Sequence, residues 1–106
     1  VIKFMPSESV IRKKAVQILN KGGWATWYPS RARFKQNDIF GIIDLLAAKK
    51  KKMKKIQLTT LPNASVKRKK IKSFLKKSGV EMTIEIWCWD KKRRRFRKEK
   101  VSANTA

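Results

Sequence analysis

The run Phe40–Ala48 (FGIIDLLAA) is almost wholly apolar, yet it carries a carboxylate, Asp44, at its centre. Such a run has to be buried, and its length and branched residues read as a strand. A carboxylate inside it costs several kcal/mol unless a cation, a metal or a hydrogen-bond network compensates it. The plain reading is that Asp44 pairs with one of the chain's many lysines. The alternative is that the strand exists to hold an acid in place.

Elements on either side can be read from their punctuation. Ser7–Lys21 predicts a helix: Ser7 or Ser9 caps it, Glu8 lies in its first turn, and Val10, Ala15, Ile18 and Leu19 form its apolar stripe. Gly22-Gly23 stops it. Trp24–Tyr28 predicts a short strand ending at Pro29, and Ser30–Asn37 a basic loop in which Arg31, Arg33 and Lys35 alternate. After the Phe40–Ala48 strand come a lysine turn, Lys49–Lys52, and a strand, Lys54–Thr60.

Pro62-Asn63 opens a second helix, Ala64–Lys77, with apolar positions Val66, Ile71, Phe74 and Leu75, and Gly79 ends it. Val80–Asp90 alternates as a strand, and Arg93–Val101 pairs with it across a basic turn at Lys91-Lys92. Flexible ends are expected at residues 1–6 and 102–106. The order α-β-β-β-α-β-β predicts a single α/β domain over residues 1–106, with a mixed central sheet flanked by helices.

Charge then narrows the partner. Lys and Arg number 29 against 7 Asp and Glu, a net charge of +22 on 106 residues. Basic residues fill six of the seven positions from Lys49 to Lys55, five of six from Lys67 to Lys72, and seven of eight from Lys91 to Lys98. One such run is ordinarily a solvated face. Three runs with no matching acidic patch favour a polyanion, gripped through counterion release and bidentate arginines. Candidate nucleic-acid contacts are Arg31, Arg33, Lys35, Lys67, Arg68, Lys69, Lys70, Arg93, Arg94 and Arg95.

Several chemistries are excluded. The chain has no histidine, which removes Ser-His-Asp triads and histidine general bases. Its single cysteine, Cys88, allows no internal disulfide or multi-cysteine zinc site, and reads as a small buried hydrophobe. Trp24, Trp27, Trp87 and Trp89 read as core or near-core residues, with base stacking as the rarer use. With no transmembrane run and no apolar N-terminal segment, a cytoplasmic location away from membranes is expected.

Strand alternation places Gln57 and Thr59 on one face of the Lys54–Thr60 strand, with Lys55 on that face too. If that face adjoins Asp44, a carboxylate and an amide oxygen meet beside a hydroxyl. Glu8 could complete an oxygen set of the kind that Mg²⁺ or Mn²⁺ prefers.

In these residues the chain resembles the PD-(D/E)xK nuclease superfamily, in its small Holliday-junction-resolvase-like and phage-type branch. Glu8 matches the helix acid, Asp44 the motif aspartate and Gln57 the third ligand. The most family-like stretch joins Asp38–Ala47, Ile56–Thr60 and the basic helix at Lys67–Ile71, and the resemblance spans Ser7–Val101. It implies a restriction-endonuclease-like core, a divalent metal held by Asp44, Gln57 and Glu8, a DNA substrate, and a homodimer that cuts branched DNA symmetrically. It also suggests a phage or viral source.

Thr59 stands where that family has a lysine that positions the attacking water and offsets negative charge. Thr59 supplies no cation, so Lys55 on the same face, or Lys67 or Lys69 on the next helix, would have to. Two functions follow: a metal-dependent endonuclease with Asp44, Gln57, Thr59, Glu8 and Lys55 at its centre, or a nucleic-acid-binding protein that retains the fold without the chemistry. A basic structural protein of a ribonucleoprotein is a third reading, for which an acid inside a strand has no use.

Overall fold

The structure, a computed structural model, describes residues 8–29 and 39–103, the Glu8 side chain excepted. The predicted loop carrying Arg31, Arg33 and Lys35, together with Asp38, lies outside the described residues, as do positions 1–7 and 104–106. Helix α1 (Glu8–Lys21) leads into β1 (Ala25–Trp27), β2 (Leu45–Lys49) and β3 (Lys52–Thr60). A 3-10 turn, Leu61–Asn63, then opens α2 (Ala64–Ser78), followed by β4 (Ile84–Asp90) and β5 (Arg95–Val101).

The five strands form one mixed sheet in the order β1-β2-β3-β4-β5. All neighbours are antiparallel except β3 and β4, which α2 connects as a parallel pair. That crossover is what a parallel pair requires. The architecture is α/β, with one helix on each face of the sheet.

Each helix has its own core. On one face Ile11, Ala15 and Leu19 of α1 pack with Leu45, Ala47, Ile56, Trp87, Trp89 and Phe96. On the other, Ile71 and Leu75 of α2 pack with Ile42, Ile43, Ile84, Ile86 and Val101. Strand β4 lies between β3 and β5 beneath both helices, so all seven of its residues are buried.

Several expectations are corrected here. The buried stripe of α1 runs through Ile11, Ala15 and Leu19, whereas Val10 and Ile18 are exposed. Ala15 and Leu19 of the predicted stripe are buried as expected, and the i, i+4, i+8 spacing shows that the sheet covers Ile11 with them rather than Val10 or Ile18. Val66 of α2 is exposed for the same reason, and Ala64 takes the buried position. Trp27 is 55% exposed rather than core. It belongs to a three-residue edge strand whose alternation turns Ala25 and Trp27 outward and Thr26 inward.

The run Phe40–Ala48 is not one strand. Ile39 and Ile43 bridge each other across a tight turn in which Phe40 and Gly41 have φ of 54° and 73°. Only from Leu45 does the chain join the sheet. The apolar residues serve two cores: Ile42 and Ile43 pack with α2, Leu45 and Ala47 with α1. Phe40 stacks on Phe74 of α2, with centroids 5.3 Å apart, which fastens the turn to that helix.

Candidate active site and nucleic-acid interface

Asp44 therefore sits at the mouth of β2, where the chain leaves its turn and enters the sheet. Its backbone N–H donates to the Ile56 carbonyl at 2.8 Å, the last rung before β2 parts from β3. Backbone groups two residues apart along a strand point to the same side. The N–H of Leu58 thus points toward β2 where β2 has already departed. Asp44 Oδ2 replaces the missing rung by accepting that N–H at 2.7 Å.

The same oxygen accepts Gln57 Nε2 at 2.6 Å. Gln57 is 2% exposed and lies on the α2 face of β3, so its amide has been turned toward the gap beside Asp44. Nε2 also lies 3.4 Å from the Leu58 carbonyl oxygen. An amide donor thus stands between two oxygens.

The remaining predicted residues are distributed around this pair. Thr59 follows on the same strand face, is 7% exposed, and donates its hydroxyl to the Thr60 carbonyl at 3.4 Å. Lys55 precedes Gln57 on that face, half-buried opposite Leu46. Glu8 begins α1, which covers the opposite face of the sheet. Its side chain lies outside the described residues.

Among the described residues no group of three or more Cys, Asp or Glu gathers in a way that holds a metal. The gap holds the Asp44 carboxylate and the Leu58 carbonyl. The expected meeting of an amide oxygen with the carboxylate is corrected: Gln57 presents its Nε2 donor, because that group pairs with both oxygens. Mg²⁺ is commonly held by one or two carboxylates, with waters and substrate phosphates completing its octahedron. One carboxylate and one carbonyl would meet an open site of that kind only with the Gln57 amide turned over, and they form no closed all-protein cage.

The other buried or half-buried acids are structural. Arg68 grips Glu99 with two bonds of 2.8 and 2.7 Å. This raises the Arg68 pKa and holds the Glu99 carboxyl below its ordinary range. Burial pushes Glu85 upward, but Lys54 at 2.8 Å and the Trp87 indole at 2.9 Å outweigh it, and the net direction is down. The thiol of Cys88 is buried and pushed up by that burial, as an inert core cysteine should be.

The basic residues fall into two kinds. Lys67 is half-buried on the α2 stripe that also carries Ile71 and Phe74, whereas Lys69 and Lys70 are exposed. Arg68 and Arg93 are committed to Glu99 and Asp90, while Arg94 and Arg95 are exposed. Asp90 and Glu99 organise these arginines and went unnoticed in the sequence. Asp90 had a signal, an Asp directly before a Lys-Lys turn. Glu99 had none, because its partner is 31 residues away.

No helix among the described residues is long and apolar enough to cross a membrane. No known family model matches the chain, and no curated protein sequence matches it.

Proposed function

We propose that this chain binds DNA and hydrolyses its phosphodiester bonds at Asp44 and Gln57, with the restriction-endonuclease-like arrangement of the PD-(D/E)xK nucleases. The observation that carries this reading is the Asp44–Gln57 contact at the gap where β2 parts from β3. The net charge of +22 supports a polyanionic substrate. Bound Mg²⁺ or Mn²⁺ would supply an activated water and a positive charge against the scissile phosphate. Asp44 would provide the full negative charge that attracts the ion and Gln57, with its amide turned over, an oxygen. Glu8, on the helix over the opposite face, is the third ligand that the resemblance implies. Lys55, on the Gln57 face, is the cation nearest in sequence to the position that Thr59 leaves neutral. Lys67, Lys69 and Lys70, with Arg31, Arg33 and Lys35, hold the phosphates on either side. Symmetric cutting of a branched DNA would take a homodimer.

A second reading, binding without chemistry, is favoured by Thr59. Its hydroxyl is bonded to a backbone carbonyl, and no cation replaces it on that strand position. Incubating labelled duplex, single-stranded and four-way-junction DNA with the chain in Mg²⁺, Mn²⁺ or EDTA separates the two. Products that require the metal support the nuclease. Retarded but intact DNA under every condition supports the binding module.

A further inference from the structure

The basic runs lie at different ends of the sheet. Because β4 is parallel to β3, the β2–β3 turn at Lys50-Lys51 and the β4–β5 turn at Lys91–Arg94 lie at opposite ends. Nine residues of β3 separate them, about 26 Å at ~3.3 Å per residue. Gln57 is three residues from the Thr60 end, and the chain passes there through Leu61–Asn63 into α2. The Asp44–Gln57 pair, the first turns of α2 and the Lys91–Arg94 turn therefore share one end.

That turn is built around a buried acid. Asp90 is 4% exposed. Its Oδ1 accepts the backbone N–H groups of Lys92 and Arg93, each at 3.1 Å, and its Oδ2 accepts Arg93 Nη1 at 3.2 Å. Arg94 follows in the left-handed region, with φ of 54°. Lys91, Lys92, Arg94 and Arg95 are all exposed. A cation set held on a fixed backbone loses less freedom on gripping a phosphate than a loose one does.

The opposite turn is different. Lys49 Nζ is spent on the Gly22 carbonyl at 2.8 Å, fastening the end of α1. Lys50–Lys52 are exposed, and among the described residues no carboxylate bonds to their backbone.

We infer that the Asp90-folded turn Lys91–Arg95 is the element that grips nucleic-acid phosphates at the Asp44 end of the sheet, with Asp90 as its positioning residue, and that Lys50–Lys52 lie outside this contact. The inference rests on the nucleic-acid reading above.

The test measures affinity of the whole chain for a labelled duplex across a salt series. Lys91→Gln/Lys92→Gln/Arg94→Gln is compared with Lys50→Gln/Lys51→Gln/Lys52→Gln, which removes the same charge from the other end. The first is expected to lose about tenfold in affinity and to reduce the salt slope by about 3, roughly one for each phosphate contact. The second is expected to change little. Asp90→Asn gives an independent sign: it adds one net positive charge, so bulk electrostatics predicts tighter binding, whereas a positioning role predicts weaker binding. Thermal melting of each variant confirms that it is folded. Equal losses in the two triple variants, or tighter binding by folded Asp90→Asn, overturn this inference alone. A parent chain that retains no duplex, single-stranded or junction DNA overturns the nucleic-acid reading and this inference with it.

Discussion

Gln57 Nε2 lies 2.6 Å from Asp44 Oδ2, and that oxygen also accepts the Leu58 N–H at 2.7 Å. One carboxylate oxygen thus serves two donors, of which the departure of β2 would otherwise leave the Leu58 N–H unpaired. Asp44→Ala strands the Leu58 N–H and leaves Gln57 Nε2 only its longer contact with the Leu58 carbonyl. It is expected to destabilise the fold by about 1–3 kcal/mol, read as a lower urea midpoint with an unchanged slope. An unchanged midpoint would contradict the structural half of this assignment.

Gln57→Glu tests whether the gap takes a cation. It would bring a second carboxylate to within hydrogen-bond reach of the first, and like charges so close favour protonation of one of them. The variant is expected to melt below the parent in EDTA at neutral pH. Mn²⁺ should then restore it, since a ligand at 100 times its Kd adds about 2.7 kcal/mol. A melting temperature indifferent to Mn²⁺ would show that these oxygens do not form a cation site.

Three carboxyls set the acid limit of stability. Glu99 is held below its ordinary value of 4.5 by Arg68, and Glu85 is held below the same value by Lys54 and Trp87 despite its burial. Asp90 is held below 3.8 by the Arg93 and Lys92 backbone and the Arg93 side chain. A depressed folded pKa contributes stability that is complete above the unfolded value and lost as pH falls through the folded one. The chain is therefore expected to lose stability on acidification below pH 4.5. With no histidine, no side chain has its ordinary pKa near ~6.5. Urea midpoints measured between pH 2 and 8 check this, and a midpoint that rises on acidification would contradict it.

Gly79 ends α2 with φ of 70° while its N–H donates to the Leu75 carbonyl at 3.0 Å. A Cβ there meets nothing within 4 Å, so Gly79→Ala carries only the backbone cost of the left-handed region, about 1–2 kcal/mol. Chemical denaturation reads this directly. A neutral substitution would mean that the helix ends differently.

The order of elements was legible because Gly22-Gly23, Pro62-Asn63 and Gly79 punctuate it. The meeting of Gln57 with Asp44 was legible in outline, since strand alternation and one misplaced acid sufficed. The bond to Leu58 was not, because it depends on where β2 leaves β3. Hydropathy cannot mark that point: Ile42 and Ile43 of the turn and Leu45 and Ala47 of the strand are all buried. The stripes of α1 and α2 were legible at Ala15, Leu19, Ile71 and Leu75 but not at their margins, because the sheet chooses which apolar residues it covers, and Val10, Ile18 and Val66 stay outside. Trp27 was misjudged because alternation along a three-residue edge strand turns Thr26 inward and leaves Trp27 outward. The charged turn was read as a run of cations, while the buried acid that folds it, Asp90, passed as the end of a strand.

The most direct measurement is the initial rate of DNA cleavage by the parent and by Asp44→Ala, side by side in Mn²⁺ and in EDTA, with folding of both confirmed. The account predicts that the parent cuts only with the metal and that the variant, still binding DNA, yields no product. A variant that cleaves as fast as the parent would contradict the placing of the chemistry at Asp44 and Gln57.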